Sequence, residues 1–124
     1  MKCSLNEKDV EFINKIKNQK GLKEKIIAHK LYINYLNKQI AINTKEEEKA
    51  NQEEKIIFDK ICLLNKENPD DYDKKYEENY ELYREIANRR YFFSIQKEEN
   101  QKKLKIINKK LEKLLKKENK KNKR

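Results

Sequence analysis

LLNKENPDDYDKKY, residues 63–76, holds the chain's single proline, and the segments on both sides of it are periodic. Pro69 followed by Asp70 and Asp71 reads as a helix start: proline suits the first helical position, and carboxylates suit the positive end of the helix dipole. Asn68, just before it, suits the end of an arriving helix. One helix should therefore stop near Lys66 and another begin at Pro69.

Upstream, a mostly apolar pattern from Leu22 advances in alternating steps of four and three: Leu22, Ile26, His29, Ile33, Leu36, Ile40, Asn43, Glu47, Ala50, Glu54, Ile57, Ile61 and Leu64. Downstream the same alternation runs through Tyr72, Tyr76, Asn79, Tyr83, Ile86, Arg90, Phe93, Lys97, Asn100, Leu104, Ile107, Leu111 and Leu114. Each series is a heptad seam, the pattern of a helix packed lengthwise on another. Between Asn43 and Lys55 only Ala50 is apolar, and Thr44 with Glu47 could cap a new helix. The register resumes without a phase change, which favours one continuous helix.

Two heptad helices joined by a short turn fold back as an antiparallel hairpin. With the turn centred on Asn68, Ile61 should meet Tyr76, Ala50 meet Ile86, and Ile26 meet Leu111. Among polar residues, Glu47 should lie beside Arg90 or Arg89, and Glu54 beside Tyr83; Ile40 beside Lys97 is a mismatch unless the lysine stem lies flat. Near the N-terminus, Ser4 with Glu7 forms a capping-box pattern that would open a first helix near Leu5. Its inner side would carry Leu5, Val10, Phe12, Ile13 and Ile16, and Gly21 would mark its end. The expected fold is all-α: a long antiparallel helical hairpin of coiled-coil type, with a short N-terminal helix packing at its open end. It forms a single domain over residues 1–118 (helices about 5–19, 22–66 and 69–118), followed by a basic, disordered tail at 119–124.

Composition agrees. Of the 124 residues 44% are charged, 35% are hydrophobic and one is glycine, too little turn and core material for sheets or barrels. The net charge of +10 arises in one place: residues 102–124 carry 12 basic and 2 acidic side chains, whereas residues 1–68 net +3 and residues 69–101 net −3. Lysine supplies 28 of the 32 cations, alongside abundant Asn, Ile and Tyr, a bias an AT-rich genome imposes by itself. Two cysteines, Cys3 and Cys62, do not make a secreted disulfide framework. Neither a signal-peptide pattern nor a membrane-length apolar run is visible. An intracellular, soluble protein, cytoplasmic by preference, is expected.

An arm of ~45 residues spans roughly 68 Å while a first helix of ~15 residues covers only ~22 Å, so the base can hold three helices and the tip only two. Yet IIFDKICLL, Ile56–Leu64, has seven apolar residues in nine, more than a two-helix seam conceals. A protein partner or a second copy, making a dimer, should cover the tip, with Ile56, Ile57, Phe58, Ile61, Leu63, Tyr72, Tyr76 and Tyr80 carrying the contact. The tyrosines should otherwise pack on Ile57, Ile61 and Leu64. Base stacking on them is disfavoured by the acids around them, Asp70, Asp71, Asp73, Glu77, Glu78 and Glu81.

The alternative reading is a nucleic-acid or anionic-membrane surface on the lysine-rich end: Lys109, Lys110, Lys113, Lys116, Lys117, Lys120, Lys121, Lys123 and Arg124. Arg89 and Arg90, ahead of Tyr91, Phe92 and Phe93, should pair with the run Glu46–Glu48. His29 sits on the seam opposite Ile107 without companions for a metal. No catalytic constellation, cofactor motif or small-molecule pocket is discernible, so no enzymatic activity and no cofactor are expected.

Two resemblances are local. LYREI, Leu82–Ile86, contains the tripeptide of the LYR family, but too little chain follows for that family's three-helix bundle. The order KIK (Lys15–Lys17), Gly21, QEEKI (Gln52–Ile56) and YDxK (Tyr72–Lys75) is similar to tubulin-binding cofactor A, which would imply a small helical chaperone of β-tubulin. Both arms are about two heptads longer than in that family, and the proline of its second helix is absent.

Overall fold

The computed structural model describes residues 5–122, and it is all-α. It contains α1 (Glu7–Asn18), α2 (Leu22–Glu67) and α3 (Tyr72–Asn122). Contacts cluster in two compact units, one made of residues 1–41 with 97–124 and the other of residues 42–96. Within each unit α2 and α3 pack against each other in opposite directions, as in a helical hairpin, and α1 belongs to the first. No helix among the described residues is long and apolar enough to cross a membrane. Cys3, Ser4, Lys123 and Arg124 lie outside the described residues.

The heptad positions leave water, joined in the first unit by off-seam Tyr32 and Lys103. All thirteen seam residues of α2 are buried or half-buried, and so are all of those in α3 except Tyr76. α2 runs unbroken through Thr44, as the conserved phase of the repeat required. Polar residues on the seam find partners across it instead of ending the helix: buried Asn43 donates from Nδ2 to Gln96 Oε1 at 3.2 Å.

The turn differs from expectation by three residues. Asn68 adopts φ 44°, the left-handed conformation that closes α2, and its N–H donates to the Leu64 carbonyl at 2.8 Å. Pro69 does not open α3. Its carbonyl accepts from the Tyr72 N–H at 3.0 Å, and the first helical bond runs from the Lys75 N–H to the Asp71 carbonyl at 3.1 Å. With the chain turned left-handed at Asn68, one further tight turn is needed before the helical ladder can begin, so α3 starts at Tyr72. Asp71 and Asp73 still face the dipole's positive end. Asn68→Val should cost about 1–2 kcal/mol in urea unfolding and Asn68→Gly close to nothing, since only the branched side chain clashes at positive φ.

At the other end of the sequence, α3 remains helical to Asn122, where disorder had been expected from residue 119. Lys120 and Lys121 occupy its last turn, where cations favour the helix dipole.

α1 begins two residues later than expected, with a different cap. Asn6 Oδ1 accepts from the Asp9 N–H at 2.8 Å while Asp9 Oδ2 accepts from the Asn6 N–H at 3.0 Å, a reciprocal capping box. The helix closes at Gln19, whose N–H reaches the Ile16 carbonyl. Gly21 therefore does not end α1. It precedes α2, its carbonyl accepting from the Lys25 N–H at 3.0 Å, and the Glu24 carboxylate folds over it into the space a Cβ would occupy.

The inner face of α1 is rotated from the one expected. Leu5 and Val10 are exposed, and Asp9, Phe12, Ile13 and Ile16 point inward, three and four residues apart. Phe12, Ile13 and Ile16 pack on a core of Tyr32, Leu36 and Ile107, which also receives Ile33 and Leu104. Phe12 stacks on Tyr32 with ring centroids 5.4 Å apart and meets Tyr35 at 5.1 Å. In the second unit the core is Ala50, Ile57 and Ile86, flanked by Ile61 and Tyr83.

Candidate functional site

The eight residues expected to carry a contact separate into two groups. Ile57 is buried in the hairpin's own core, Ile61 packs beside it, and Tyr72 is half-buried with its hydroxyl donating to Asn65 Oδ1. These three hold the helices together. Ile56, Phe58, Leu63, Tyr76 and Tyr80 remain exposed.

The exposed five do not form one patch. Glu53 and Arg89, each one residue before a seam position, form an ion pair, which fixes one flank of the helix pair. Phe58 and Tyr80, each one residue after a seam position, therefore belong to the opposite flank, while Ile56 and Leu63 lie toward the Glu53 side of α2. Along α3 a step of four residues advances about 40° around the helix, so residues stacked at that spacing drift sideways. Tyr72, Tyr76 and Tyr80 form such a ladder, with centroid separations of 5.8 and 6.0 Å and interplanar angles of 23° and 10°. It starts on the seam at Tyr72 and emerges on the Phe58 flank at Tyr80, which is 45% exposed; Phe58 is 55% exposed.

On the Phe58 flank lies a shallow open groove of about 290 Å³, lined by Asn51, Glu54, Lys55, Phe58, Asp59 and Tyr83. Its inner wall is fixed by hydrogen bonds. The Tyr83 hydroxyl donates to Glu54 Oε1 at 3.3 Å, and Arg90 Nε donates to Glu54 Oε2 at 2.6 Å. The Tyr83–Glu54 contact is the one expected. The arginine pairs are not: Arg90 meets Glu54 and Arg89 meets Glu53, not Glu46–Glu48. Side chains on a helix lean toward its own N-terminus. In antiparallel helices the two leans converge, so long side chains meet about one turn nearer the start of each helix than their own Cα atoms, and each arginine reaches a glutamate further along α2 than the residues its Cα faces. The arrangement offers an open aromatic and apolar wall with a fixed polar edge.

Tyr91 and Phe92 are also exposed, Phe92 meeting half-buried Phe93 edge-on at 5.6 Å. Cys62 is a free, exposed thiol. His29 is buried, and its Nδ1–H donates to the Lys25 carbonyl at 2.7 Å. No cluster of potential metal ligands occurs among the described residues. Of the basic residues expected to bind anions, Lys109, Lys110, Lys113, Lys116, Lys117, Lys120 and Lys121 are all exposed.

One arrangement was not anticipated from the sequence. In the first unit Asp9, 0% exposed, pairs with Lys103, 7% exposed, at 2.8 Å between Oδ2 and Nζ. Asp9 Oδ1 also accepts from the Tyr32 hydroxyl at 3.0 Å. The carboxylate thus caps its own helix and joins α1 to both long helices. Asn6 three residues before Asp9, with Asp9 in phase with Phe12, Ile13 and Ile16, was the available signal. Lys103, one residue off the seam among many lysines, gave none.

The chain matches no protein family, no curated protein and no solved structure.

Proposed function

We propose that this chain is a non-catalytic coiled-coil interaction module that binds protein through the aromatic flank of residues 42–96. Phe58, Tyr76 and Tyr80 are its anchors, and Glu54 and Tyr83 form the fixed edge of the docking groove. The observation that carries this reading is the exposure of Phe58, which lines the groove, and of Tyr80 on the same flank, in a unit where only two helices are present to cover apolar surface. Tyrosine anchors suit protein interfaces, because the ring supplies contact area and the hydroxyl tolerates water.

Substitution at Ile57 cannot test this, because that side chain is part of the core and its loss would unfold the unit. The informative variant is Phe58→Ser with Tyr80→Ser, at positions already open to solvent, checked by circular dichroism for unchanged helix content. Light scattering over a range of concentrations identifies the occupant. A mass above 15.2 kDa that the double variant returns to 15.2 kDa makes the occupant a second copy. A monomeric wild type requires a different protein, cross-linked through groove residues in the wild type and lost in the variant. Absence of both results would overturn the proposal.

A further inference from the structure

The two units differ sharply in charge. Residues 1–41 with 97–124 carry 22 basic and 8 acidic side chains, a net +14, whereas residues 42–96 carry 10 and 14, a net −4. Within the first unit the excess is ordered. In α3 the pairs Lys109 and Lys116, and Lys113 and Lys120, are each seven residues apart, at two neighbouring heptad positions on the side of the helix facing away from the seam; Lys110 and Lys117, also seven apart, flank them at a third position, one residue before the seam. All six lysines are exposed. Between Lys102 and Lys121 no acidic residue occupies any of these three positions; Glu112 and Glu118 fall at the others. None of the six forms an ion pair among the described residues, in contrast to Lys102 with Glu98 and Lys103 with Asp9.

We infer that this lysine stripe binds the phosphate backbone of duplex nucleic acid without reading its sequence. From Lys109 to Lys120 the stripe is roughly 16 Å long, and duplex DNA presents about one phosphate charge per 1.7 Å of axis, so several contacts can form at once. Lysine supplies point charges on flexible stems, not the forked donors that read base edges, and no aromatic side chain is interleaved to stack on single-stranded bases. A membrane surface fits less well. The apolar side of the same stretch, Leu104, Ile107, Leu111 and Leu114, is buried or half-buried, leaving Ile106 as the one exposed large apolar side chain that the described residues of this stretch offer to a lipid headgroup layer.

The test uses the full chain and a labelled ~20-bp duplex of scrambled sequence, with affinity measured by fluorescence anisotropy across a salt series. About four to five phosphate contacts give a slope of log K against log salt near −4. The variant with Lys109, Lys113, Lys116 and Lys120 each changed to Gln should lower that slope to about −1 and cut low-salt affinity at least tenfold. A control with Lys8, Lys23, Lys30 and Lys38 each changed to Gln has the same net charge and should stay close to the wild type. Three results would overturn the inference: no duplex binding at low salt, equal losses in the two variants, or stripe-dependent binding to phosphatidylserine vesicles without duplex binding. Circular dichroism of both variants establishes that the helices persist.

Discussion

Lys103→Met lowers the unfolding free energy by about 3–5 kcal/mol, the loss expected when a buried ion pair is deprived of one member. What remains explains the size of the effect. The Asp9 carboxylate would keep the Asn6 N–H and the Tyr32 hydroxyl but lose its cation in a place where water cannot substitute for it. Asp9→Leu should cost a similar amount, because it leaves the Lys103 ammonium almost dry and removes the acceptor of the capping box. Combined, Asp9→Leu and Lys103→Met should cost clearly less than the sum of the two, since no uncompensated charge is left behind. Urea unfolding followed by circular dichroism measures all four corners of this cycle. Strictly additive losses would show that the pair is not coupled. Hydrogen exchange adds a local signature: in either single variant the amides of α1 should lose protection before those of residues 42–96, because the tie between α1 and the long helices is the part removed.

Leu36→Ala is the second large effect, at about 2–5 kcal/mol. Leu36 is 0% exposed and belongs to the cluster with Tyr32 and Ile107, on which Phe12, Ile13, Ile16 and Leu104 converge. Truncation there removes contacts from three helices at once, and stacked aromatic rings close by limit how far the site can collapse. Leu63→Ala supplies the contrast, since that side chain is exposed and should change stability by less than about 0.5 kcal/mol. A comparable loss at both positions would refute the packing described.

The long helices were legible because a period is redundant: thirteen positions in each agree, so polar residues at Asn43, Glu54 or Arg90 do not blur the register. Ala50 beside Ile86 and Tyr83 on Glu54 followed from that register alone. Single events were less legible. The start of α3 depends on the backbone angle of one residue, Asn68, and the proline signal pointed to the wrong turn. The capping box and the inner face of α1 were misplaced because 12 residues give too few repeats to fix a phase, and an acidic residue was not counted among those facing inward. The arginine partners were missed for a geometric reason, since a register counts Cα positions while Arg and Glu meet at the ends of long, leaning side chains. At the candidate site, the excess of apolar residues in Ile56–Leu64 was visible in the sequence, but which of them the hairpin keeps for itself was not. Ile57 and Phe58 are neighbours in the sequence and face opposite fates.

The tie between Asp9 and Lys103 joins residues 94 positions apart, which sets an order of events during synthesis. After Asp9 is added to the chain, 94 more residues must be added before its counter-ion is in place. Until then α1 can meet Tyr32 and Tyr35 of α2, but Leu104 and Ile107 of α3, which complete that core, are not yet translated. One of the earliest residues made thus waits for one of the late ones, and a nascent chain stalled before Lys103 carries the Asp9 carboxylate without the cation that faces it in the finished protein.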